Sequence, residues 1–261
     1  MTRLCATNLS VRRGGRAIVD DVSCALEGGS FVAVVGANGA GKSTLLSVLA
    51  GLLAPDDGAV SLDGTLLPRL ARRELARRRA YLPQSPRAEW PIAVERLVAL
   101  GLTPQLPAFG GLPGRLEPLL TEALTACDLA GHRLQPATTL SGGELSRAML
   151  ARALIGDPQV VIADEPIAGL DPRHALDTVT RLQGLAGQGR LVVTALHDLT
   201  LALRFSTHLM ALKAGRLAAF GPTARVLTAG LLREVFEVEA RISGDGAQAY
   251  VDYLGPSGAE R

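Results

Sequence analysis

Phe31-Val-Ala-Val-Val35 runs without a break into Gly36-Ala-Asn-Gly-Ala-Gly-Lys-Ser43, and apolar residues at 45, 46, 48 and 49 follow. Five apolar residues ahead of a glycine-rich turn read as a buried strand, and the pattern behind it reads as a helix. The turn fits G-x-x-x-x-G-K-[ST]. Its glycines let the backbone curl until successive N–H groups face phosphate oxygens, and a helix starting at Lys42 adds its positive dipole end. On this reading Gly36, Asn38, Gly39 and Gly41 form a cradle for the phosphates of a nucleotide. Lys42 reaches the β- and γ-phosphates, Ser43 holds Mg²⁺ and Thr44 touches the α-phosphate. Glycine-rich strand-to-helix turns also exist without ligands, but the Lys-Ser pair and the flanking elements favour phosphate. The loop by itself leaves many nucleotide-binding families open.

Outward from this turn, apolar runs suited to strands alternate with helical patterns, which predicts a largely parallel α/β sheet. Strands are expected at Leu4–Val11, Ala17–Leu26, Phe31–Val35, Gly58–Leu62, Arg79–Leu82, Val160–Ala163, Leu191–Ala195, His208–Lys213 and Arg216–Gly221. Helices are expected to begin near Lys42, Arg69, Ala93, Gly114, Ser141, Pro172, Asp198, Thr223 and Gly230. Residues 93–136 show no clear strand and read as a helical insertion in the core. From Glu239 onward the reading is a short tail. No linker or repeat divides the chain, so one domain over 1–261 is expected, with a helical subdomain over about 88–157.

The 261 residues suffice for one large α/β domain with its own core. A net charge of +2 supplies no strong field for nucleic acid, and none is expected as a partner. Six arginines between Arg69 and Arg79, with Glu74 among them, read as a solvated helix face. Cys5, Cys24 and Cys127 lie far apart without metal-ligand spacing and read as reduced core residues of a cytosolic protein. No signal peptide or membrane span is read, because the longest apolar stretch is about half the ~20 residues that a span needs.

A second apolar strand, Val160-Val-Ile-Ala-Asp164-Glu165, ends in two carboxylates. Hydrolysis needs one to hold Mg²⁺ and another to position and deprotonate the attacking water. Asp164 suits the first role and Glu165 the second, since successive residues leaving a strand point differently. Paired acids also cap helices or decorate surfaces, yet a phosphate loop upstream favours chemistry. Between the two strands lies Leu140-Ser-Gly-Gly-Glu144, opening an amphipathic helix. Ser141 and Glu144 read as a capping box, which leaves Gly142 and Gly143 unexplained. Paired glycines at a bare helix N-terminus also admit an anion, and both readings can hold together.

At this point the chain resembles the ABC ATPases. Leu140–Glu144 is similar to their signature motif, in the order that family requires. Gln84, in Tyr-Leu-Pro-Gln, resembles the Q-loop glutamine that contacts Mg²⁺ or the attacking water. Ala168-Gly-Leu-Asp171 resembles the D-loop at the dimer interface, and His197 resembles the switch histidine at the γ-phosphate. The resemblance implies a P-loop NTPase core with a mostly parallel sheet, an antiparallel β element near the N-terminus and a helical insertion. It implies ATP and Mg²⁺, with Ser43, Gln84 and Asp164 near the metal and Glu165, His197 and Gln84 at the chemistry. It further implies a head-to-tail homodimer in which Ser141, Gly142, Gly143 and Asp171 of one subunit cover the ATP of the other. Separate permease subunits and, indirectly, a substrate-binding protein complete the implied assembly, with this chain peripheral on the cytoplasmic face of the membrane.

The segments Glu89–Gly101, Leu196–Ala202 and Gly221–Thr228 resemble ATPases for uptake of iron–siderophores, haem and cobalamin. Importers of zinc, manganese or molybdate share many of these phrases, and some exporters are also built from separate subunits. Trp90 within this stretch is a candidate contact for the permease, with ordinary packing as the bland reading. Soluble DNA-repair relatives are disfavoured because no sustained heptad pattern separates loop from signature. A P-loop kinase or GTPase is disfavoured by the ordered motifs and by the lack of an Asn-Lys-x-Asp segment. Three departures, Ala163, Ile167 and Leu145-Ser146, remove no catalytic group. A fourth puts Arg13 where the family carries an aromatic residue against adenine, and a guanidinium plane can also stack on a base. Looser base selection is therefore expected: ATP and GTP should bind within about tenfold, or ~1.4 kcal/mol, of each other. Titration of the purified chain with both nucleotides checks this, and strict rejection of GTP overturns it.

Overall fold

The computed structural model describes residues 1–84, 87–106 and 113–257. Two antiparallel strands, β1 (Arg3–Arg13) and β2 (Arg16–Glu27), open the chain, and β3 (Phe31–Val35) leads into α1 (Lys42–Leu49). There follow β4 (Asp57–Leu62), β5 (Thr65–Leu66), α2 (Arg72–Arg78), β6 (Arg79–Leu82), α3 (Val94–Ala99), α4 (Glu117–Ala126) and α5 (Gly142–Leu154). The second half runs β7 (Val160–Asp164), α6 (Pro172–Gly187), β8 (Leu191–Ala195), α7 (Leu199–Phe205), β9 (His208–Lys213) and β10 (Arg216–Pro222). It closes on α8 (Thr223–Val226), α9 (Ala229–Phe236), β11 (Val238–Ser243) and β12 (Tyr250–Pro256).

A six-stranded sheet has the order β10-β9-β3-β8-β7-β6, parallel except for β10 at one edge. A four-stranded antiparallel sheet, β2-β1-β4-β5, stands beside it. The period-2 geometry of β3 splits its side chains between two cores. Val32 and Val34 join α1 and the antiparallel sheet, while Phe31, Ala33 and Val35 face the side of α6, α7 and α9. All five are buried, which is why this strand reads as an unbroken apolar run. Each such Val or Phe contributes about 1.5–3 kcal/mol by leaving water.

The insertion after β6 has a third cluster of its own, in which Val94, Val98, Leu102, Leu124, Leu129 and Ala148 are buried. Arg133 ties it together by donating to Glu95 Oε2 at 2.7 Å, to Thr121 Oγ1 at 3.2 Å and to Glu117. Among the described residues it contains no strand, only the single bridge between Ala93 and Pro136. The part of the expected insertion over 107–112 lies outside the described residues, as do 258–261 of the tail. Four features differ from the sequence reading. The helix expected near Arg69 starts at Arg72, after a 3₁₀ turn over Leu67–Arg69 that contains Pro68. The two-residue β5 is too short to announce itself by alternation. The expected tail instead folds as the hairpin β11–β12, whose mixed polar and apolar residues gave no clear period.

The fourth concerns the arginine run. It is not simply solvated: Arg73 and Arg77 donate to the Pro104 carbonyl at 2.9 and 2.7 Å, and Arg78 meets Asp63, Glu74 and Gln159. The Arg73 and Arg77 bonds fasten α2 to the insertion, while Arg78 ties it to the β4–β5 turn and to the residue before β7. The insertion is fastened again at Gly101, where the turn after α3 lies against α5. A Cβ there would sit inside contact distance of the Arg152 carbonyl and 2.6 Å from Ile155 Cγ2. Gly101→Ala should therefore cost about 2 kcal/mol through forced displacement of a packed helix. Thermal melting checks this, with a fall of several degrees expected; an unchanged melt would mean that α5 moves aside freely.

Candidate active site

Parallel register brings the sequence motifs to one sheet edge. Asp164 pairs with Ala195, Val34 also pairs with Ala195, and Leu82 pairs with Ala163. The residues just past the ends of β3, β6, β7 and β8 therefore emerge together, as open α/β sheets place their ligand sites.

The phosphate loop occupies residues 36–43. Gly36 and Gly41 have φ of 153° and 98°, and a Cβ on either would strike backbone, the Leu212 and Ile18 carbonyls respectively. α1 begins without a side-chain cap, so its first N–H groups remain available to an anion. Asn38, Gly39 and Ser43 are exposed, and Thr44 is half-buried. Lys42 is buried, and its Nζ donates to the carbonyls of Gly36 at 2.8 Å and Ala37 at 3.1 Å. Burial lowers its pKa, with Glu165 and Asp164 opposing that shift.

Asp164 is 3% exposed, and its Oδ1 has no hydrogen-bond partner among the described residues. Burial raises its pKa and Glu165 adds to this, against the nearby Ser43 hydroxyl, Lys42 and His197. A buried carboxylate oxygen without a partner, next to a serine hydroxyl, suits a hard cation with oxygen ligands. These residues fit Mg²⁺, which Asp164 and Ser43 would hold.

Glu165 has a φ of 52°, a left-handed conformation that costs a non-glycine residue free energy and that gathers at functional sites. Its two oxygens point to different partners. Oε2 accepts from Gln84 Nε2 at 2.7 Å, and Oε1 meets His197 Nε2, which must carry the proton. His197 stands just ahead of Asp198, whose Oδ1 caps α7 by accepting from the Leu201 N–H at 2.9 Å. The three residues expected at the chemistry thus form one cluster beside the phosphate loop.

Other expected site residues lie elsewhere. Ser141 and Glu144 form the capping box, the Ser141 N–H donating to Glu144 Oε2 at 2.8 Å and Ser141 Oγ accepting from the Glu144 N–H at 3.4 Å. The Ser141 N–H holds the Glu144 carboxyl below its usual range. A Cβ on Gly142 would meet nothing within 4 Å, and one on Gly143 only the Leu170 side chain at 3.6 Å. Asp171 caps α6, accepting from the His174 N–H at 3.0 Å and from His174 Nδ1 at 2.6 Å. Among the described residues no hydrogen bond joins Ser141, Gly142, Gly143 or Asp171 to this chain's own phosphate loop. Arg13 is exposed at the end of β1 opposite Arg16, on the hairpin whose Ile18 carbonyl abuts Gly41. Trp90 is 74% exposed, so it is not packed in the core.

Sequence reading overlooked three neighbours of the site. Asp198, which caps α7 next to His197, was visible only as an Asp before a helical pattern. Tyr81 and Ser47, whose hydroxyls approach to 3.5 Å behind Asp164, carried no signal, since only strand pairing and helix packing bring them together.

A phosphate loop, a buried carboxylate and a carboxylate held between an amide and an imidazole at one sheet edge define a nucleotide-hydrolysing α/β protein. Its family is settled by comparison. The family model described as ABC transporter matches residues 19–168, and the chain belongs to that family as an ATP-binding, ATP-hydrolysing subunit. The hemin import ATP-binding protein HmuV of Rhodopseudomonas palustris is 41% identical over 241 residues, covering 89% of this chain and 87% of the relative. An inward-facing ABC transporter assigned to the metal-chelate type superposes with a TM-score of 0.83 at 22% identity, covering 99% of both chains, a likeness of fold. A bacterial ABC transporter cassette solved as a dimer has a TM-score of 0.75 at 26% identity, covering 84% of this chain and 98% of the other. Among the described residues no helix is long and apolar enough to cross a membrane.

The raised pKa of Asp164 sets the sign of a stability effect. A carboxyl that holds its proton more tightly when folded favours folding in its neutral form. Stability from this group falls as pH rises from the ordinary aspartate range through the raised value, and the loss is complete above it. Asp164→Asn should therefore melt higher than the parent in EDTA at neutral pH, with the gap closing in acid. Mg²⁺ with ATP should then stabilise the parent more than the variant. A variant that melts lower in EDTA would refute the assignment.

Proposed function

We propose that this chain hydrolyses ATP to energise import of haem or a related iron chelate. It would act as a head-to-tail homodimer, peripheral on the cytoplasmic face of the membrane, beneath separate permease subunits fed by a substrate-binding protein. The observation that carries the chemistry is the Glu165 carboxylate held between Gln84 and His197 beside the phosphate loop. The cargo is supported by the hemin import relative, 41% identical over most of both chains. The exposed Ser141 and Asp171 caps, unconnected to their own phosphate loop, support the dimer, as does the dimeric state of a related cassette.

In this reading the residues divide the work. Gly36, Asn38, Gly39, Gly41, Lys42, Ser43 and Thr44 bind and orient the triphosphate by backbone N–H groups, the Lys42 ammonium and hydroxyls. Mg²⁺, held by Asp164 and Ser43 with Gln84 in reach, would neutralise charge on the phosphates. Glu165 takes the proton of the attacking water, and its partners hold the carboxylate in place until ATP and water arrive. His197, donating from Nε2, is positioned to turn from Glu165 to a γ-phosphate oxygen. Arg13 offers its guanidinium plane to the base. Ser141, Gly142, Gly143 and Asp171 of the opposite subunit close over the nucleotide, so that ATP joins two chains and its hydrolysis releases them.

Glu165→Gln keeps the shape and removes the base. It should bind ATP and lose at least about 100-fold in hydrolysis, the range expected for a general base. With ATP the same variant should trap the assembled complex, and its isolation from native membranes should recover a many-helix permease whose binding protein takes up haem. Recovery of soluble partners alone would overturn the transport reading, and unchanged hydrolysis would overturn the assignment of Glu165.

A further inference from the structure

Tyr81 and Ser47 stand behind the metal site without a part in the division of work above. β6 and β7 pair in parallel, Tyr81 beside Ile162 and Leu82 beside Ala163. Paired residues share a face and successive residues alternate, so Tyr81, Ile162 and Asp164 all face the side of α1. Ile162 is buried there with Leu45, Leu46 and Leu49 of α1, and Tyr81 packs half-buried against the same cluster. Asp164 lies two residues beyond Ile162 on that face, a diagonal that an aromatic side chain on β6 can span.

The donors on this side point one way. Ser47 Oγ, one helical turn past Ser43, donates to the Ser43 carbonyl at 2.8 Å. Its single hydrogen is then in use, so at the 3.5 Å contact the Tyr81 hydroxyl is the donor and Ser47 Oγ the acceptor. Burial pushes the Tyr81 pKa up, with Ser47 opposing and Asp164 adding, so the hydroxyl keeps its proton. The result is a line from the sheet through α1: Tyr81 to Ser47, Ser47 to the Ser43 carbonyl, and the Ser43 hydroxyl beside Asp164.

This line closes on the two residues that would hold Mg²⁺. Asp164 Oδ1 has no hydrogen-bond partner among the described residues, so its separation from Ser43 depends on how α1 sits against the sheet. Resting on the metal site proposed above, we propose that Tyr81 is a positioning residue for Mg²⁺. Acting through Ser47, it fixes the first turn of α1 against β6, and with it the spacing of Ser43 from Asp164. Mg²⁺ demands near-ideal octahedral geometry, so this spacing governs metal affinity. The phosphates are cradled by loop N–H groups and Lys42, none of which is bonded to Tyr81.

The parent chain, Tyr81→Phe, Ser47→Ala and the double variant would be titrated with Mn²⁺, an oxygen-ligated stand-in for Mg²⁺. Protein is kept in excess over a non-hydrolysable ATP analogue, and loss of the free-ion EPR signal is followed. Each single variant should melt within a few degrees of the parent, bind the analogue in EDTA within about twofold of it, and take Mn²⁺ about tenfold more weakly. The double variant should be no weaker than either single, since both cut one line. Ser47→Ala carries the test by itself should Tyr81→Phe fold poorly. If Asp164→Asn takes up Mn²⁺ as well as the parent, the metal site falls and this proposal with it. With that control intact, three results overturn the proposal alone: unchanged Mn²⁺ affinity in the single variants, equal losses of Mn²⁺ and of analogue in EDTA, or losses that multiply in the double variant.

Discussion

Parallel pairing in one register, Leu82 beside Ala163 and Asp164 beside Ala195, is the constraint on which this molecule depends. Two residues past Leu82 stands Gln84, two past Ala163 stands Glu165, and two past Ala195 stands His197. A slip of one residue in any strand would turn its side chains to the other face and scatter the three. The register is held because β3, β7 and β8 are buried on both faces, so a slip would exchange the contents of two packed cores at once.

Two features show strain kept for use. Glu165 adopts a left-handed backbone conformation, and Asp164 is buried with an oxygen unsatisfied. Each costs the chain stability, and such costs gather at functional sites. The surrounding sheet tolerates them because β3, β7 and β8 are buried along their whole length. Lys42 belongs to the same arrangement: it is buried, and its ammonium holds the loop in shape by donating to the Gly36 and Ala37 carbonyls.

Other expected site residues are held by local bonds, away from the phosphate loop. Ser141 accepts from the N–H of Glu144 and Asp171 from that of His174, each capping the helix that follows it. Arg79 differs, since its Nε is buried without a hydrogen-bond partner among the described residues.

The sequence by itself determined the strand–loop–helix at Phe31–Leu49, the carboxylate strand, the capping box and the family, because each is written in contiguous residues whose chemistry is local. The parallel sheet followed from the alternation of apolar runs and helices. Only the tertiary structure decided that Gln84 and His197 share the Glu165 carboxylate, that Asp164 keeps a buried unpaired oxygen, and that Tyr81 stands behind it. These depend on register between strands up to about a hundred residues apart, which no local pattern encodes. The tertiary structure also gave Arg73, Arg77 and Arg78 partners and buried the Nε of Arg79 without one among the described residues, since burial belongs to the neighbours of a residue and not to its letter. The hairpin β11–β12 escaped for the related reason that its strands are ordered by docking on α7, where Val251 and Ala249 bond to Thr200 and Arg204, and not by a period of their own.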